Sequence, residues 1–216
     1  MWELALQLLK RRNSIINIAS LAVAVVAAGS LAANFAFSAD DPHPAAFDGP
    51  ATARDNVAAG SGIQRFANPK PGQVRDLGSW SDTGGATRRL VLTSTDSTLA
   101  SDKPQTCVSL EDVNGNAGGG CRPANDFFAD APVVWTSVTQ AGQDGVTRKF
   151  FAGISRDSVA TIDFLKSSGD TDSVTVNADG GFFYEVPATD RAASVDVVAL
   201  VPHSDTGAAL QRIATK

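Results

Sequence analysis

Histidine and cysteine are scarce in this chain of 216 residues, with two of each. A tetrahedral zinc site takes four ligands, and neither His43 nor His203 stands at ligand spacing from Cys107 or Cys121. The two cysteines are also far wider apart than the C-x-x-C of a redox dithiol. G-x-x-x-x-G-K-[ST] and H-E-x-x-H are absent, which removes the two motif-borne chemistries of phosphate cradling and zinc peptidase action. Charged residues make up only 19% and aromatics 7%, and much of the 43% hydrophobic share is alanine, so the core is thinner than that share implies. Beyond residue 37 the chain carries 22 acidic and 15 basic residues. Such a surface repels phosphate backbones and argues against nucleic acid as a partner. No catalytic set, metal or cofactor emerges, and a non-enzymatic protein is expected.

What is present begins with SIINIASLAVAVVAAGSLAANFAF (14–37), free of charge throughout. A bilayer core of ~30 Å needs roughly 20 apolar residues in a helix, so this run is long enough to span it. Lys10, Arg11 and Arg12 precede it and Asp40 and Asp41 follow it. The positive-inside rule then puts residues 1–13 in the cytoplasm as a short tail and the bulk of the chain outside the plasma membrane. The competing expectation is a cleaved signal peptide with its cut near Ser30-Leu31-Ala32 or Ala36-Phe37-Ser38, and a secreted product. The apolar run exceeds the ~7–15 residues of an ordinary signal-peptide core, which favours the anchor. Ser20, Ala24, Ala28 and Ala32 recur every fourth residue, a small-residue ridge of the kind that lets two membrane helices approach closely.

Residues 38–77 are rich in Ala, Asp, Gly and Pro, as in DDPHPAAFDGP and NPKPGQ, and read as a flexible stalk or linker. From 78 to 216 short strand patterns alternate with turn signals. They are RRLVLTST (88–95), QTCVSLE (105–111) pairing with a strand near Gly120, PVVWTSVTQ (132–140), RKFFAGIS (148–155), SVATIDFLK (158–166), SVDVVALVP (194–202) and ALQRI (209–213). In DSVTVNADGGFFYEVPA (172–188) the Asp179-Gly180 pair between alternating apolar residues predicts a hairpin, with Phe182, Tyr184 and Val186 on one face. Val195, Val197, Ala199 and Val201 are expected to share a face in the same way. Strands with turns every ~8–12 residues predict a mainly β domain, an antiparallel β-sandwich or open barrel.

CVSLEDVNGNAGGGC (107–121) holds both cysteines. Outside the membrane a pair of this kind persists as a disulfide. Closing a loop of about 15 residues stabilises by ~3 kcal/mol in the chain-entropy view. Asp112, Asn114 and Asn116 match the start of a calcium loop, but Ala117 replaces the required glycine and Pro123 the bidentate glutamate. Gly153-Ile154-Ser155-Arg156-Asp157 lacks the last glycine of a nucleophile elbow. His203-Ser204-Asp205 holds the triad residue types as sequence neighbours, which cannot form the linear relay. Trp135 is expected in the core or against the disulfide, and Trp80 packed near an edge.

The order of RRLVLTST, a C-V-S-L-E strand, a glycine-rich turn, a second cysteine, FFAGISRDSVATIDFL and a D-G-G-F-F-Y-E-V-P segment resembles a group of uncharacterised membrane-anchored or secreted proteins of high-GC Gram-positive-type bacteria. The resemblance covers residues 86–202. It implies an exported β-rich domain with a Cys–Gly-rich–Cys hairpin, and it transfers no catalytic residue. Here the turn departs from an all-glycine run, with DVNGNAGGG in its place. Together these readings predict a single-pass anchor, held in the lipid bilayer through 14–37, carrying a disulfide-stapled β domain. That domain is expected to bind an envelope protein or cell-wall component. Two alternatives stay open: an envelope hydrolase whose site is assembled from dispersed residues, and an accessory subunit that regulates a membrane partner.

Overall fold

A computed structural model describes residues 44–58, 73–96, 103–142 and 144–215. The expected tail (1–13), the expected span (14–37) with Ser20, Ala24, Ala28 and Ala32, and residues 59–72 of the expected stalk lie outside these residues. Among the described residues no helix is long and apolar enough to cross a membrane.

The described chain is mainly β, in three antiparallel sheets. The first is a meander of β1 (Val74–Ser81), β2 (Thr87–Thr95), β3 (Gln105–Asp112) and β4 (Ala117–Pro123). The second, in spatial order, holds β5 (Val133–Ala141), β6 (Thr147–Ser155) and β9 (Gly181–Glu185). The third runs β11 (Ile213–Ala214), β10 (Val197–His203), β7 (Thr161–Lys166) and β8 (Thr171–Thr175). Two short helices, α1 (Ala53–Ala58) and α2 (Ala188–Ala192), and 3-10 turns at Ala45–Phe47 and Ala124–Asp126 complete it.

Packing makes the arrangement sandwich-like. Leu90, Leu92, Val108 and Leu110 of the first sheet meet Val134, Val138, Phe150 and Ile154 of the second, with Phe127 and Phe128 in the same core. On the other face of the second sheet, Val133, Phe151, Phe182 and Tyr184 pack with Ile162, Phe164, Val197 and Leu200 of the third. A sheet buried on both faces has no use for alternating polar residues. That is why β6 runs Phe150-Phe151-Ala152-Gly153-Ile154 without interruption and is buried from Phe150 to Ser155.

One turn recurs along the chain, at 82–86, 112–116, 142–146, 166–170, 177–181 and 204–208. In each, the first amide bonds to the fifth carbonyl and the fourth amide returns to the first carbonyl, as in Asp82 N–H to Ala86 O and Gly85 N–H to Asp82 O, both 2.9 Å. The fourth residue is always glycine with φ between 73° and 93°, the left-handed position that closes a three-residue hairpin loop.

Three expectations need correction. The turn at 177–181 forms, but β8 and β9 are not paired: β8 bonds to β7 and β9 to β6. The Asp-Gly chemistry fixes a reversal over five residues and nothing beyond it. Past the turn, Val176 N–H bonds to Ala160 O and Ser155 N–H to Gly180 O, which draws the two arms into different sheets. In β10 the register slips between Val197 and Ala199, and this bulge turns Leu200 and Pro202 inward while Val201 stays half-buried. Finally, β1 begins at Val74 rather than after 78. The described part of the expected stalk is packed on β1 through Phe47 and Asp55.

Candidate functional site

A cleft of about 400 Å³ is walled by the 45–55 arm, the start of β1, the end of β6 and the 178–180 corner. Arg75 builds one wall. Its guanidinium donates to the carbonyls of Ala46 (2.9 Å), Gly49 (2.8 Å) and Val74 (2.9 Å) and lies over the Phe47 ring. Asp55 builds the next. It accepts the Thr52 amide and hydroxyl at 2.6 and 2.8 Å and the Asp76 amide at 2.7 Å. Burial alone would raise its carboxyl, but those bonds outweigh it and hold the group below its usual range. Arg54, 57% exposed, reaches across to Asp76 (3.2 Å) and Asp179 (3.5 Å). Ser155 and Asp157 also line the cleft.

This cleft presents carbonyl oxygens, carboxylates and one exposed guanidinium. Asp55 and Asp76 accept backbone amides or arginine, and Ser155 donates to Gly180 O at 3.4 Å. The surface is therefore rich in hydrogen-bonding groups held in fixed positions, suited to recognising a polar ligand.

The opposite ends of β1 and β6 carry a buried charge cluster beside a hollow of about 220 Å³. Arg88 donates to Asp82 Oδ2 from Nε (2.9 Å) and Nη2 (2.8 Å), reaches Gln140, and covers the Phe150 ring. Burial would raise Asp82, but Arg88 and the amides of Gly84 and Ala86 lower it overall. Arg148 grips both oxygens of Asp144 (2.8 and 2.5 Å) and lies 3.5 Å from Glu185. Glu185 in turn accepts the Thr83 amide and hydroxyl. These contacts join the β1–β2 turn to the middle sheet.

The residues singled out by sequence fall as follows. Cys107 and Cys121 form a disulfide between directly opposed positions of β3 and β4. Cys107 is buried beside Val74 and Val91, while Cys121 is exposed. Trp135 packs with Phe151 in the other core, so it does not lie against the disulfide. Trp80 stacks on Phe183 at 5.6 Å. Asp112 spends its carboxylate inside its own turn, on the amides of Asn114 and Asn116 and the Asn116 side chain. No cluster among the described residues could hold a metal ion. His203 meets Asp163 Oδ2 at 3.0 Å, and Ser173 donates to Asp163 Oδ1 at 2.6 Å. The carboxylate stands between serine and histidine, which is not the Ser–His–Asp order of a nucleophilic relay. Ser204 pairs with Thr206 instead.

Sequence reading missed Asp55, Arg75 and the Arg88–Arg148 cluster. A signal existed for the last pair. Strand alternation puts Arg88 on the face of Leu90 and Leu92, and Arg148 on the face of Phe150 and Ala152, so both arginines had to point inward. Comparison with protein-family models, curated proteins and solved structures finds nothing similar to this chain.

Proposed function

We propose that the chain is a single-pass cell-surface protein whose β domain lies outside the plasma membrane and binds an envelope protein or cell-wall component without catalysing a reaction. Residues 14–37 serve as the anchor, with the N-terminus in the cytoplasm. The observation that carries this reading is the Cys107–Cys121 disulfide, a bond that persists in oxidising compartments. It agrees with an export segment read independently from the sequence. The Arg54–Asp157 cleft supports the binding half, because its acids Asp55, Asp76 and Asp179 are tied to amides and arginine rather than left to act on a substrate.

A photo-crosslinking residue placed at Asp157 in living cells tests it. Capture of one envelope protein or wall fragment, lost in Arg54→Ala, is the expected result. Turnover of a wall polymer by the purified protein would sink the non-enzymatic reading.

A further inference from the structure

Strand β4 reads Ala-Gly-Gly-Gly-Cys-Arg-Pro and forms one edge of the first sheet. Asp112 N–H bonds to Asn116 O, so residues 116, 118, 120 and 122 turn their backbone groups toward β3. Ala117, Gly119 and Cys121 then turn theirs outward. No hydrogen bond to those outward groups occurs among the described residues, and Gly119 and Cys121 are exposed.

The β1 edge of the first sheet and both edges of the third are blunted. On β1 the Asp76 amide is taken by Asp55, the Asp76 carbonyl by Arg54 and the Leu77 carbonyl by Asn177. β11 has only Ile213 and Ala214, and β8 carries Asp172 beside Asp170. Natural edges are usually protected by charge, proline or cover, and an unprotected one is a pairing surface. β4 carries its only charge and its only proline, Arg122 and Pro123, in its last two positions, which leaves Ala117 to Cys121 without either.

We propose that β4 is a self-association edge, through which two copies of the chain pair antiparallel about a two-fold axis at Gly119. In that register Ala117 of one copy opposes Cys121 of the other, so each outward residue meets another outward residue. Arg122, an exposed cation without an ion pair among the described residues, comes to lie across from Asn116 of the second copy. Asn116 is hydrogen-bonded to the Asp112 carboxylate. Arg122, Asn116 and Asp112 project on one face of the sheet, so each Arg122 comes near the other copy's Asp112, whose carboxylate keeps its bonds to the Asn114 and Asn116 amides and still carries its charge. This charge match is what selects a second copy over a foreign peptide. The glycines let the backbones meet without side-chain collision. Such a contact buries less than the ~1,200 Å² of a standard interface, so the dimer depends on concentration.

The test uses the full chain in mild detergent. Mass is followed across a dilution series, and amide exchange is read at Gly119 and Cys121. Expected are twice the chain mass at high concentration, exchange at those amides roughly tenfold slower than on dilution, and single-chain mass for Ala117→Pro and Arg122→Glu. A single-chain mass at every concentration overturns the proposal. So does a dimer whose Gly119 and Cys121 amides exchange freely, because another surface would then hold it. A stable complex of one chain with an extended foreign peptide on β4 counts against it as well. The exchange readout decides the matter even if Ala117→Pro fails to fold, and neither readout depends on the ligand of the cleft.

Discussion

Phe150 and Phe151 are neighbours in β6 and belong to different cores: Phe150 packs with Leu90 and Leu110, and Phe151 with Phe164 and Tyr184. The middle sheet is therefore shared by both layers of the fold. The cleft and the charge cluster sit at opposite ends of β1 and β6, so they depend on the same central strand for their positions.

Arg88→Met should destabilise by about 3–5 kcal/mol, because it strands the Asp82 carboxylate, whose side chain is 1% exposed, without its cation. Adding Asp82→Asn should recover part of the loss. Urea denaturation of the two single variants and the double variant measures the coupling.

Acid should weaken the domain through Asp55 and Asp82. Both are held below their ordinary range in the folded state, so the unfolded chain takes up their protons first. Their contribution is complete above the unfolded value of about 4 and disappears as pH falls through the lower folded values. Stability against pH should lose slope on that acid limb in Asp55→Asn and Asp82→Asn, each also lowered at neutral pH. An unchanged limb would remove these groups from the account.

Replacing both cysteines, Cys107→Ala with Cys121→Ala, should cost about 3 kcal/mol, the value for a closed loop of this length. Circular dichroism should keep its strand signal, since β3 stays paired along its length with β2. Collapse of the whole fold would mean that the bond does more than staple a hairpin.

Two adjacent glycines should differ sharply. A Cβ on Gly119 would fall 2.2 Å from Val108 O, whereas one on Gly120 meets nothing within 4 Å. Gly119→Ala should lower the melting temperature by several degrees, as a misfit of ~1–3 kcal/mol does, and Gly120→Ala should leave it within about one degree. Equal effects would contradict the close approach of Gly119 to β3.

Much of the strand layout could be read from alternation alone, because Leu90, Leu92, Ile162 and Phe164 each announce a buried face. The disulfide was legible as well, since two cysteines flanking an Asn-Gly turn have one way to pair. Sheet membership after residue 176 was not. It depends on bonds from Val176 and Ser155 to distant carbonyls, which no local pattern records. The inward face of Leu200 was hidden by a bulge. The cleft was hidden too, because Arg54 meets Asp76 across 22 positions and Asn177 meets Leu77 across 100, with single polar residues in a Pro- and Gly-rich arm supplying the ties.

Thiol trapping in intact cells tests most directly the proposal that the domain is oxidised and faces outward. The prediction is that neither the buried Cys107 nor the exposed Cys121 labels with a membrane-impermeant maleimide until an impermeant reductant is added, and that Cys121 then labels without lysis. Labelling before reduction, or labelling that requires the cells to be opened, would contradict the account.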